Sequence, residues 1–159
     1  MAAVADASPL ILLAKIDRLS LLHELYGQVL IPPAVVRELR AKQDQTSPVL
    51  ERFITTATVR APGNVRLLQD LSGRLGAGES EAIALAAERP DALLVMDDAE
   101  GRRAAHELGL RVTGLLGVLV EAKGKGLLPA VGPVIDELVA SDFWISDVMQ
   151  RVVLRSVGE

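Results

Sequence analysis

The chain has 159 residues, half of them hydrophobic, a formal net charge of -4 and no cysteine. That length suits one α/β core and is short for two, while the lack of cysteine excludes disulfides, thiolate zinc sites and thiol nucleophiles. A net-negative chain cannot hold nucleic acid by bulk charge, so such a partner needs a local basic strip or a bridging cation. No basic leader opens the sequence and no apolar run reaches the roughly 18 residues of a membrane span. A soluble cytoplasmic protein with no membrane partner is the expectation.

Ala2–Ala5 is a short apolar run that stops at Asp6, and Ser8-Pro9 reads as a helix start, with Ser8 capping and proline at the first helical position. Leu19, Leu22 and Tyr26 recur at helical spacing until Gly27, and Val29-Leu30-Ile31 is a short strand closed by Pro32-Pro33. The next helix carries Val35, Val36 and Leu39 on its apolar side with Glu38 in its first turns, and another covers Pro48 to Ile54. From Thr55 to Gly78 the pattern is weak. The Ala61-Pro62-Gly63-Asn64 turn signal and the glycine-rich piece Gly73 to Gly78 suggest a mobile connection there.

After Gly78 the pattern firms. Glu79 to Glu88 is alanine-rich and helical, and Leu93-Leu94-Val95-Met96 is an uninterrupted apolar strand ending in Asp97-Asp98. A helix from Glu100 to Leu108 stops at Gly109; Leu110 to Thr113 is one more strand, and Leu115 to Lys123 one more helix. From about residue 131 the chain reads as helical to Glu159, with a break at Ser141 to Ser146 that contains Trp144. Strand and helix alternate, which implies a three-layer α/β/α domain spanning 1–159 around a parallel sheet of about four strands.

The acids fall at element ends: Asp6, Glu38, Glu79/Glu81 and Asp97/Asp98. Carboxylates that converge in a folded domain repel unless a divalent cation neutralises them, so the spacing points to a shared metal pocket. In an open α/β sheet, ligands bind beyond the carboxyl ends of the strands, where Asp6 and Asp97 fall. Glu79 and Glu81 lie about 200° apart on a helix, so only one of them faces such a pocket. Asp98 either lines it or caps the Glu100 helix, capping being the commoner role. Arg102, one turn on, is placed either to pair with a pocket carboxylate or to contact a phosphate. His23 and His106 sit in helical patterns away from the acids and read as structural or exposed. Four aromatic residues in the chain leave little scope for base stacking.

Five segments in order, Val4-Ala5-Asp6-Ala7-Ser8-Pro9-Leu10-Ile11, Ile31 to Leu39, Gly78 to Ala86, Leu94 to Asp98 with Gly101-Arg102-Arg103, and Val112 to Leu119, together resemble the PIN-like domain superfamily. They are similar to an uncharacterised prokaryotic branch of it, related to VapC-type ribonucleases. The resemblance implies a Mg²⁺- or Mn²⁺-dependent ribonuclease, often the toxin of a toxin–antitoxin pair, whose partners are RNA, a small antitoxin protein and, in some members, a second copy of the chain. It makes Asp6, Glu38, Glu81 and Asp97 the catalytic acids, with Asp6, Glu81 and Asp97 on the metal and Ser8, Glu79, Asp98 and Arg102 as accessory positions. Glu81 stands where many of these ribonucleases have aspartate, one methylene shorter. An inactive module of the same fold that binds RNA or protein is the alternative. A haloacid-dehalogenase-like phosphatase needs a second aspartate where this chain has Ser8, and neither a GxGxxG nor a GxxxxGKS/T segment is present.

Overall fold

In the computed structural model, which describes residues 1–159, five strands form one parallel sheet and ten helices cover it. The strands are β1 (Ala2–Ala5), β2 (Gln28–Ile31), β3 (Thr58–Val59), β4 (Ala92–Val95) and β5 (Val112–Thr113). The helices are α1 (Ala7–Lys15), α2 (Ser20–Tyr26), α3 (Pro33–Ala41), α4 (Ser47–Thr56), α5 (Val65–Ser72), α6 (Ala77–Ala87), α7 (Ala99–Glu107), α8 (Leu115–Gly124), α9 (Gly132–Ala140) and α10 (Asp147–Ser156). Strand order is β3-β2-β1-β4-β5. The chain winds outward from β1 through β2 to β3, then returns to the other side of β1 for β4 and β5, so the winding reverses between β1 and β4.

Side-chain alternation splits the core into two layers. Ala3, Ala5, Val29, Ile31, Leu93 and Val95 face the larger cluster, while Val4, Leu30, Ala92, Leu94 and Met96 face the smaller one. Successive residues of a strand point to opposite faces, so a run that is apolar throughout must be covered on both sides. The larger layer is filled from α1, α2, α3, α4, α8 and α9 with Val153 of α10; the smaller is filled from α6, with Leu71 of α5 and Ala104 and Ala105 of α7. Both small alanine contacts let α7 lie close to the sheet just behind the Asp97-Asp98 turn.

The sheet has one strand more than the sequence pattern suggests. β3 is two residues long, half-buried at Thr58 and exposed at Val59, and pairs with Leu30 and Ile31 of β2, so it has no apolar run to betray it. The stretch expected to be a connection also contains α5, capped by Asn64, whose side chain accepts from the Leu67 amide at 3.0 Å. The glycine-rich piece is no free linker: Gly78 is buried in the first turn of α6. Ser8 does not cap α1. The helix begins at Ala7 with Asp6 in the cap position, Ser8 is exposed, and Pro9 occupies the third position, where an amide hydrogen would lack an intrahelical partner in any case.

His23 has a structural place, its ring nitrogens 3.0 Å from the Gly27 carbonyl and from Thr56 Oγ1 and its ring against Phe53. The last two helices are fastened by one carboxylate. Glu159 accepts from Lys123 Nζ at 2.7 Å and from the amides of Val131 and Gly132 at 2.7 and 2.9 Å, closing the start of α9 onto the end of α8. Lys123 and those amides hold Glu159 down at about 2. A carboxylate depressed by folding contributes stability above its unfolded pKa and loses it as pH falls through the folded one. Glu159→Gln should therefore melt below the wild type at pH 7, with the gap closing as pH is lowered from about 4.5 toward 2. Parallel melting curves across that range check it.

Candidate metal and phosphodiester site

Asp6 ends β1 and Asp97 follows β4, neighbouring strands in register at Ala5 and Val95, so both acids leave the same carboxyl edge at the point where the winding reverses. The Asp6 amide donates to the Val95 carbonyl at 3.0 Å, which carries the β1–β4 ladder up to the acid itself. Glu38 arrives from the same edge, on the helix that follows β2. Open α/β sheets place ligands at such a reversal.

Asp6 is 3% exposed, and its Oδ1 has no hydrogen-bond partner. Burial pushes its carboxyl up to about 7; Glu79, Glu38 and Asp98 add repulsion, and the Ala7 amide opposes them. Glu38 is raised as well, by partial burial and then by Glu79, against the pull of the Gly78 amide. These side chains share one space because α6 enters it on a residue without a side chain. A Cβ on Gly78 would collide with Glu38 Oε1 and lie 3.5 Å from Asp6 Oδ1.

Asp97 forms a second lobe. Its Oδ1 accepts from the Leu115 amide at 3.0 Å at the start of α8, while its Oδ2 is buried without a partner. Burial raises its pKa, and the Leu115 amide and Arg102 pull it down. Gly114 makes the room: a Cβ there would stand 2.5 Å from Asp97 Oδ1 and 2.6 Å from Arg102 Nη1. Asp98 caps α7, accepting from the Gly101 amide at 2.7 Å, and its charge still reaches Asp6.

The two helical glutamates have different partners. Glu81 accepts from the Ala34 amide at 3.0 Å and pairs with Arg37 at 3.6 Å, serving the free amides at the start of α3. Glu79, two positions earlier, is the one coupled to both Asp6 and Glu38. No three acidic or histidine side chains close tightly enough to enclose an ion by themselves. Ser8 is exposed.

The donors at this edge are all carboxylate oxygens, two of them buried with nothing to bond. That chemistry fits a hard divalent cation. Mg²⁺ is held by one or two carboxylates and keeps several waters, so it does not need a closed protein cage.

A parallel α/β/α sheet with acids gathered at its winding reversal is the layout of a metal- or phosphate-handling site in an open α/β fold. The chain belongs to the PIN-domain family: the DUF3368 family model, a PIN domain, matches residues 2–159. PIN domains are generally dependent on divalent metal ions and their fold suggests nucleic-acid binding. No curated protein sequence matches the chain. No helix is long and apolar enough to cross a membrane.

The raised pKa of Asp6 gives a sign for metal-free stability. Between about 3.8 and 7 the folded state binds the proton that the unfolded state has released, so Asp6 costs stability as pH rises through that window. Asp6→Asn should stabilise the chelator-treated protein at pH 8, by up to about 4 kcal/mol, with the difference vanishing near pH 4. Denaturant midpoints at the two pH values read it out; a neutral or destabilising effect at pH 8 would contradict a strained carboxylate.

Proposed function

We propose that the chain is a divalent-metal-dependent ribonuclease that hydrolyses RNA phosphodiester bonds at the β1/β4 edge. The observation that carries this reading is the partnerless, buried Asp6 Oδ1 among Glu79, Glu38 and Asp98. A carboxylate left unpaired in a low-dielectric site is expensive unless a cation compensates it. Asp6 and Asp97 would hold the ion, with Glu79 and Glu38 at the rim through its waters; Glu79 takes the place that the resemblance gives to Glu81. Bound Mg²⁺ or Mn²⁺ supplies a Lewis acid and a water of lowered pKa. Glu38, with its raised pKa, is positioned to accept a proton from the attacking water. Arg102 stands beside Asp97 without an ion pair to it, which leaves its guanidinium for a backbone phosphate.

The resemblance to VapC-type toxins extends the proposal to a cytoplasmic toxin held by a small antitoxin, which a short reading frame adjoining the gene would support. The second reading, an inactive module that binds RNA or protein through the same edge, is favoured by the looseness of the acid cluster. Cleavage decides between the two.

Single-stranded RNA should be cut in Mg²⁺ or Mn²⁺ and not in EDTA, with Asp6→Ala and Asp97→Ala both near background and not additive. Glu79→Ala should lose on the order of 100-fold. Glu81→Ala should instead lower the melting temperature, because the Ala34 amide loses its acceptor, and leave turnover within about threefold. Binding of metal with no cleavage across structured and unstructured RNAs would replace the nuclease with the binding module.

Gly78→Ala separates packing from chemistry. Alanine favours the helix by about 1 kcal/mol, and the group it displaces is the mobile end of Glu38. The variant should melt no lower than wild type and cleave more slowly; a stable variant with full activity would remove Glu38 from the site.

A further inference from the structure

The outer face of α10 is built unlike the rest of the surface. Val148, Arg151, Val152 and Arg155 follow one another at i, i+3, i+4 and i+7, a single stripe along the helix, and with Ser156 they line a shallow groove of about 430 Å³. Val148 is 63% exposed and Val152 58%, while Met149 beside them is half-exposed. Trp144, the only tryptophan, is 80% exposed two residues ahead of the Ser146 cap. Neither arginine forms an ion pair with a carboxylate.

The helix is held firmly despite presenting this face. Ser146 caps it from the Met149 amide at 3.1 Å, Val153 is buried in the larger core layer, and Glu159 and the Val157 carbonyl both meet Lys123 Nζ. Exposed tryptophan, methionine and arginine around aliphatic residues, with lysine absent, is the composition of protein–protein contact surfaces. A rigid helix presenting it needs no ordering on binding.

Charge selects the occupant. The stripe carries two positive groups on a chain whose net charge is -4; Asp147 lies at its start, and Glu159, beside Arg151 and Arg155, is already committed to Lys123 and to the Val131 and Gly132 amides. A two-fold pair of α10 helices would bring four guanidinium groups into one seam with no carboxylate of the stripe between them. A partner whose carboxylates interleave with aliphatic side chains satisfies both arginines and covers both valines.

We infer that α10 is the docking surface for an acidic amphipathic helix of another protein. The position leaves the carboxylate edge free. The clamp to Lys123 lies at the end of α8 opposite Gly114, and the far ends of α1 and α3, Lys15 and Lys42, border the end of α9 at Ala140–Asp142. Both ends of α9 thus lie away from Asp6 and Asp97, and α10 returns beside it. Docking here tethers the domain without closing its site, and the inference does not depend on the nuclease reading.

Trp144 emission reports occupancy directly. The probe is a synthetic helical peptide with leucines on one face and glutamates flanking them, titrated into the full chain. A saturable change in emission is expected, weakened at least about tenfold in Arg151→Ala/Arg155→Ala and in Val148→Asp, with the fold and RNA cleavage retained because Val153 still fills the core. The same peptide with lysine for glutamate should not bind. Absence of saturable binding, or equal binding of the lysine peptide, would overturn the inference. So would arginine-dependent binding of a single-stranded oligoribonucleotide in preference to the acidic peptide, or a concentration-dependent dimer that the same substitutions abolish.

Discussion

The burial of Asp6 at the end of β1 is the constraint on which the rest of this architecture turns. Its neighbours Val4, Ala5 and Ala7 are fully or nearly fully buried, and the strand hydrogen bonds continue to its own amide, so the carboxylate cannot swing into water. A buried carboxylate without a donor for one oxygen is costly, and Glu38, Glu79 and Asp98 increase that cost. The sheet and its two apolar layers supply the stability that tolerates it. Sites that do chemistry are where such local conflict is expected in an otherwise consistent fold.

Glycine, rather than any special polar residue, shapes the space around the conflict. Gly78 lets the start of α6 come against Glu38 and Asp6, and Gly114 lets the start of α8 come against Asp97 and Arg102. Each helix thereby brings its N-terminus to the acid lobe it serves, with the Gly78 amide toward Glu38 and the Leu115 amide on Asp97. These amides partly offset the burial of negative charge, in the same sense as the positive end of a helix dipole. The two lobes are electrically distinct: Asp6 lies among other acids, while Asp97 accepts from the Leu115 amide and feels the positive charge of Arg102.

Much of this was legible in the sequence because apolar runs and their stop residues are local. β1, β2 and β4 stand out as uninterrupted apolar runs, and Asp6 and Asp97 as the acids that end two of them. β3 was not legible, since two residues with one exposed face carry no periodicity, and α5 was hidden because it buries only Leu71. Which of Glu79 and Glu81 reaches Asp6 is illegible for a different reason. Helical spacing says that the two face opposite ways but does not say which way α6 is rotated, and that rotation is set by α3, whose free Ala34 amide takes Glu81. Five ordered motifs identified the family, while the orientation of one helix, a tertiary property, decided which acid meets Asp6.

The central claim is that the partnerless oxygens of Asp6 and Asp97 exist to hold a divalent cation. Titration calorimetry of chelator-stripped protein with Mn²⁺ at pH 8 tests it most directly. Saturable binding is predicted for the wild type and for Glu81→Gln, abolished in Asp6→Asn and strongly weakened in Asp97→Asn. It should also weaken as pH is lowered through about 7, where Asp6 takes up its proton. Binding that is the same in wild type and Asp6→Asn, or no saturable binding at all, would contradict the account.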